Sequence, residues 1–259
     1  MRKIFTTIIT IGLSLTGVSK NRINAPVDRA KRCVGSNHDK ETCENMRLRA
    51  VKINCISKEE YETLKKYGAY PSCNILKKDT DKFLDGWCPC GCFHPDTLIT
   101  VYDTKKEKLK IKTAKKVIEE QNNTHLVHVG KNSSINNLSY KKSKIRLSTS
   151  GKEEKEMLVI KTQNYPPLIL TEKHPVVISS GEMITAKNLK TTHLLLNTKG
   201  EKIKILDISK KKYNVDVVNF STERNHPLEH IIVANGLLTG DQYWQASLED
   251  QLNRVVIRQ

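Results

Sequence analysis

Gly91-Cys92-Phe93-His94-Pro95-Asp96-Thr97-Leu98-Ile99 is the stretch on which the reading of this 259-residue chain turns. Cysteines stand at positions 33, 43, 55, 73, 88 and 90 before it, and none follows Cys92. A boundary of redox chemistry therefore falls at this residue. A cysteine directly after a glycine, at the first position of a β-rich region, can attack the carbonyl carbon of the preceding residue through a five-membered ring. Its own peptide bond then becomes a thioester, and the chain is its own substrate.

Working back from Cys92, residues 33–90 read as a small disulfide-stapled module with two helical pieces. The first spans residues 38–51, with residues 42–49 rich in helix formers. The second is marked by Ser57 with Glu60 three residues on, a capping box, by Ile56 as its hydrophobic staple and by Gly68 at its end. A unit of this size is marginal on its own core, and bridges among its six cysteines would repair that without the sequence choosing the pairing. An odd total of seven leaves one cysteine unpaired, and Cys92 is the expected one.

Residues 20–32 read as a polar, basic leader. Before them, Met1-Arg2-Lys3 and the apolar residues 4–18, with Gly17 and Ser19 before a cleavage point, have the form of a secretory signal over residues 1–19. The apolar run, about 15 residues, falls short of the roughly 20 needed to span a bilayer. A secreted, extracellular protein is expected, and cysteine usage agrees.

Ahead of Cys92 the texture changes to short alternating or apolar runs between polar turns, at residues 98–102, 108–111, 125–129, 144–147, 157–161, 168–170, 176–178, 193–196, 202–208, 213–218 and 231–234. Short strands at such spacing predict an all-β sandwich or barrel-like fold. Lys199-Gly200, Ser179-Ser180-Gly181 and Asn235-Gly236 read as turns, and the Asn/Ser/Lys-rich residues 130–144 as a loop. Beyond residue 240, Trp244, Leu248, Leu252 and Val255 recur at helical spacing with Asp241 as N-cap, so residues 241–259 are expected to close the chain with a helix.

The formal net charge of +16 raises the question of nucleic acid, but Lys outnumbers Arg roughly threefold and is scattered, with no basic helix stripe. Aromatic residues are 5% of the chain, too few for a stacking platform. No nucleic-acid partner, cofactor or metal is expected.

An amide is more stable than a thioester, so the shift from nitrogen to sulfur needs an acid for the leaving nitrogen and a donor that orients the bond. Thr171-Glu172-Lys173-His174-Pro175 supplies a hydroxyl and an imidazole on one tight turn after an apolar strand. On this reading Cys92→Ala abolishes cleavage, His174→Ala slows it by about 10²–10⁴-fold, and Thr171→Ala falls between wild type and His174→Ala.

These segments, in this order, resemble the Hint fold shared by Hedgehog C-terminal domains and inteins. Gly91-Cys92-Phe93 followed by Thr97 is similar to its first block, and residues 170–176 to its Thr-x-x-His block. Residues 184–200 are similar to the hairpin that follows, and residues 213–217 and 230–236 to the closing strands. The resemblance covers residues 92–240. It implies a horseshoe-like antiparallel β domain that processes itself, a scissile bond between Gly91 and Cys92, Cys92 as nucleophile, and Thr171 and His174 as the pair that activates the amide. His230 is a further match, as an assisting or a structural histidine.

Two departures shape the expected chemistry. Inteins end in His-Asn before a second nucleophile, whereas this chain has Thr239-Gly240-Asp241, so Asn cyclisation and splicing are excluded. Hedgehog domains that pass the thioester to a sterol use an acidic residue upstream of the Thr-x-x-His block, roughly where Ser148-Thr149 stands, and a longer C-terminal region. Water or another small nucleophile is therefore the expected acceptor, with a cell-surface receptor as the partner of residues 20–91. Two alternatives stand beside this reading: a catalytically inert Hint-like fold with Cys92 bridged to Cys88 or Cys90, and a zinc-binding module built on Cys88, Cys90, Cys92 and His94.

Overall fold

The computed structural model describes residues 40–66, 69–75, 82–89, 92–153, 155–247 and 257. The expected signal segment, Cys33, Gly68, Cys90, Gly91 and residues 248–256 of the expected last helix lie outside them.

The N-terminal module opens with α1 (Lys40–Lys52) and α2 (Lys58–Lys66). The capping box is formed as expected: the Ser57 N–H donates to Glu60 Oε2 at 2.9 Å and the Glu60 N–H to Ser57 Oγ at 3.1 Å, satisfying two of the donors that a helix start leaves open. Ile56 is buried in a small core with Ala50, Cys55 and Leu64. A Cys55–Cys73 disulfide ties the turn between the helices to β1 (Ala69–Ile75), which pairs antiparallel with β2 (Lys82–Pro89). This hairpin adds two strands to the two helical pieces expected. Pro71, Gly86 and the cysteines interrupt the alternation by which a strand is recognised, and pairing alone makes these residues extended.

After Cys92 come β3 (Leu98–Asp103), β4 (Lys108–Thr113), α3 (Ala114–Glu119), β5 (Thr124–Val129), β6 (Tyr140–Lys152), β7 (Met157–Thr162), β8 (Tyr165–Leu170), β9 (Pro175–Val177) and β10 (Met183–Thr185). They are followed by β11 (Leu194–Leu196), β12 (Lys202–Lys211), β13 (Asp216–Thr222), β14 (Ile231–Ala234), β15 (Leu237–Gly240) and α4 (Gln242–Ser247). The expected mostly antiparallel β fold is what forms. One nine-stranded sheet runs β10-β9-β15-β14-β3-β5-β6-β13, with β4 attached to β3, and a four-stranded sheet runs β11-β12-β7-β8.

Single bridges stitch the two sheets together. Ile178 meets Leu195, and Asn197 meets Leu237. On the other side Phe93 bridges Leu170 of β8 and Val218 of β13, so the residue after Cys92 joins the edge strands of both sheets. Between the sheets lies the main core, with Phe93, Ile99, Leu126, Leu168, Leu170 and Phe220 all without exposure. A second cluster gathers Val233, Leu238 and Met183 around Trp244 of α4. Asp241 caps that helix as expected, its Oδ1 accepting the Tyr243 N–H at 2.9 Å.

Residues 130–144 are not loop throughout. Gly130 donates to the Ser139 carbonyl at 2.8 Å, and strand β6 begins at Tyr140. Lys141, Lys142 and Lys144 point to solvent, which is why this stretch of strand has the composition of a loop. Helix α3, six residues between β4 and β5, is too short to show a period in the sequence; the Thr113 side chain caps it.

Candidate active site

Residues 92–94 run extended between β8 and β13. The Phe93 N–H donates to the Val218 carbonyl at 2.8 Å, the Val218 N–H returns to the Phe93 carbonyl at 3.0 Å, and the His94 N–H reaches Ile169 at 3.1 Å. This pairing places Cys92 beside the end of β8, where the chain turns through Thr171 to His174. Across 79 residues of sequence, the Cys92 N–H donates to Thr171 Oγ1 at 2.7 Å, and the Thr171 N–H donates to the Cys92 carbonyl at 3.0 Å. The amide nitrogen of the expected scissile bond is thereby clamped from both sides of its own residue.

The Cys92 thiol is free and 2% exposed. It lies in an apolar cluster with Met157 and Val217, edged by Ile169, Tyr213 and Val215. Burial lifts its pKa well above the ordinary thiol value, and the negative charge of Glu153 adds to that. The resting sulfur is therefore protonated at neutral pH.

His174 is fully buried, and its ring lies 4.0 Å from that of Phe93, centroid to centroid. The turn is set by its N–H bonding to the Thr171 carbonyl at 3.0 Å, and by the Ala186 N–H bonding to its own carbonyl at 2.8 Å. Neither ring nitrogen has a partner within full hydrogen-bond geometry, the Gly240 backbone coming nearest to being one. Burial lowers its pKa to about 3, against a smaller upward pull from the Gly240 backbone, so the imidazole is neutral at neutral pH. Of the pair expected from sequence, Thr171 holds the Cys92 amide, and His174 stands against the ring of Phe93, the residue that follows.

His230 belongs to another group. It ends a short 3-10 turn, Pro227–His230, and its Nδ1 meets Asp241 Oδ2 at 2.9 Å and Thr222 Oγ1 at 3.1 Å. Its Nε2 meets the Arg224 carbonyl at 2.9 Å, and Tyr243 stacks on its ring at 4.1 Å. Among the described residues none of its hydrogen bonds reaches Cys92, Thr171 or His174. Gly240 links the two places. It pairs with Ile231 in the β14–β15 hairpin and abuts Pro175, where a Cβ would come within 2.7 Å of the proline ring.

Ser148 and Thr149 lie in mid-β6, the Ser148 hydroxyl donating to Gln121 Oε1 at 2.7 Å. Glu153, one residue past the end of that strand, is buried, which the sequence did not mark. It stands in the run Lys152-Glu153-Glu154-Lys155-Glu156, whose pattern is that of a solvated turn, and nothing local marks which member turns inward. Of the zinc alternative, Cys90 and the Cys88 side chain lie outside the described residues, and among those described no group of three or more His, Cys, Asp and Glu is placed to hold a metal.

No protein-family model matches the chain, and no curated protein does. Solved structures do. The chain is similar to a DnaB intein from Synechocystis sp. PCC 6803 at 17% identity and a TM-score of 0.46, over 58% of this chain and 98% of that one. An intein from a hyperthermophile matches at 12% identity and a TM-score of 0.49, over 58% and 99%. A bacterial intein-like domain from Clostridium thermocellum matches at 12% and 0.42, over 56% and 99%. It is to inteins and an intein-like domain that this chain is similar in structure.

Proposed function

We propose that residues 92–240 form a Hint-type self-processing domain, which cleaves a secreted precursor between Gly91 and Cys92 by moving the acyl group from nitrogen to the Cys92 sulfur. Water or another small nucleophile then releases the module of residues 20–91. The observation that carries this reading is the clamp of Thr171 on the Cys92 backbone. A hydroxyl oxygen accepting the amide N–H fixes the nitrogen while its lone pair develops on the opposite side, as the carbonyl carbon becomes tetrahedral. A free, buried thiol on the same residue supports the nucleophile assignment.

Cleavage without splicing is supported by the chemistry at the other end of the domain. Asp241 is a carboxylate whose oxygens accept the Thr222 N–H at 2.8 Å and the Tyr243 N–H at 2.9 Å and meet His230 at 2.9 Å. It has no side-chain amide nitrogen to attack its own backbone carbonyl, and its oxygens are occupied. We assign His230 a structural part, holding that carboxylate.

The test is to incubate purified precursor with dithiothreitol or hydroxylamine and follow a fragment ending at Gly91 by mass spectrometry. Release from wild type and none from Cys92→Ala is the expected result. Release at undiminished rate from Cys92→Ala would falsify the mechanism.

A further inference from the structure

Strand β4 is an outer strand. Among the described residues it pairs with β3 along its whole length and with no other strand, so the N–H and C=O groups of its far edge have no ladder partner. Its side chains alternate in kind as they alternate in direction. Leu109 and Ile111 are 65% and 68% exposed, with Leu98 of β3 37% exposed on the same face, whereas Lys108, Lys110 and Lys112 stand on the other.

A cleft of about 680 Å³ runs along this edge. Consecutive residues of β4, Lys110 to Thr113, all line it, so both faces of the strand reach the cleft and the edge lies between them. Lys105, Lys106 and Lys116 join Lys110 and Lys112 there, against two acids, Asp103 and Glu120. Both acids are already engaged, Asp103 by Lys110 at 2.9 Å and Glu120 by Lys112 at 2.7 Å. Lys105 and Lys106 are exposed, and among the described residues their ammonium groups form no ion pair. The cleft therefore keeps a surplus of positive charge beside an unpaired main chain.

Lysines along an outer strand ordinarily keep two copies of a sheet from joining, and a second copy here would bring the same charges against each other. The occupant that suits the edge carries the opposite charge and the same alternation. We propose that the edge of β4 takes an extended peptide of a partner protein as an added strand, one whose side chains alternate between apolar and acidic. Side chains directly opposite on neighbouring strands share a face, so its apolar positions meet Leu109 and Ile111 while its carboxylates meet Lys110 and, from the walls of the cleft, Lys106 and Lys116. Main-chain hydrogen bonds hold the strand, and the alternation fixes its register. A nucleic-acid strand would answer the charge alone: no aromatic ring lines the cleft for a base to stack on, and a phosphate backbone brings no amide donors to the β4 carbonyls.

The test uses the full chain carrying Cys92→Ala, which stays in one piece, and the labelled hexapeptide fluorescein-Glu-Val-Glu-Val-Glu-Val-amide. Saturable binding by fluorescence anisotropy, with slowed amide exchange in residues 108–113, is the expected result. The double variants Leu109→Glu/Ile111→Glu and Lys105→Glu/Lys106→Glu should each weaken binding about tenfold or more, since each sets carboxylates against the peptide's own. All four replaced side chains are exposed; circular dichroism checks the fold, and should one double variant unfold, the other decides. The same peptide N-methylated throughout keeps its charges, loses its donors and should not bind. No binding at millimolar peptide overturns the proposal, and so does wild-type affinity in a folded double variant or equal binding of the N-methylated peptide. Stronger binding of a Lys-Val peptide, of oligothymidylate or of phosphatidylserine vesicles is equally fatal, because the edge would then not be reading an acidic strand.

Discussion

The backbone of Cys92 is held by one residue, Thr171, which accepts its N–H through Oγ1 at 2.7 Å and donates its own N–H to its carbonyl at 3.0 Å. The side-chain half of that clamp is the half that a substitution can remove. The sequence alone predicts that Thr171→Ala is milder than His174→Ala. The contacts argue for the opposite order, because the hydroxyl touches the nitrogen of the expected scissile bond and no hydrogen bond runs to that nitrogen from the imidazole. Thr171→Val, which keeps the shape, should slow thiol-driven cleavage by about 10²–10³-fold, the usual worth of one such contact, and Thr171→Ser should restore most of the rate. Single-turnover rates for both variants beside His174→Ala would check the order, and a Thr171→Val rate within a few-fold of wild type would refute it.

His174 also makes stability depend on pH. Its folded pKa, about 3, lies below the ordinary 6.5, so the unfolded chain binds a proton that the folded chain refuses. Its contribution is complete above pH 6.5 and is lost as pH falls toward 3. Burial lowers His94, His125 and His128 in the same direction, and these remain as background. In a Cys92→Ala chain, replacing His174 by Gln should flatten the fall in stability across that window by up to about 1.4 kcal/mol per pH unit. Urea midpoints measured at several pH values would show it; coincident slopes would mean that His174 takes up its proton without unfolding.

The buried thiol changes how the free cysteine must be counted. At 2% exposure, Cys92 should resist alkylation in the native precursor and react once the chain is unfolded without reductant. Peptide mapping of iodoacetamide-treated protein under the two conditions tests this. Fast native labelling at Cys92 would contradict the burial.

The turn between β14 and β15 carries a steric prediction. Asn235 and Gly236 have φ of 49° and 80°, the type I′ pattern, and a Cβ on Gly236 would lie 2.6 Å from the Tyr165 ring. Gly236→Ala therefore adds both strain and a clash, and should cost about 1–3 kcal/mol. Asn235 is held by bonds to the Leu98 N–H at 2.7 Å and the Pro167 carbonyl at 2.8 Å, so the tip cannot easily swing away. A lowered urea midpoint is the expected readout, and an unchanged one would show that the ring gives way.

What was legible in the sequence was local. The Ser57–Glu60 capping box, the Asn235-Gly236 turn, the strand runs and the Asp241 cap each depend on residues a few positions apart, and each formed. Cys92 and the Thr171–His174 turn could be picked out for the same reason, since their chemistry is written in short patterns. What only the tertiary structure decided is which side chain meets which. Phe93 joins β8 to β13, and that pairing sets Thr171, 79 residues on, against the Cys92 nitrogen. It turns His230 away to Asp241, and it buries Glu153 out of a run of charges that alone would remain in water. Strand identity follows from alternation along the chain, but burial of a charge follows from which strands pair, and pairing is settled by the packing of residues far apart in sequence.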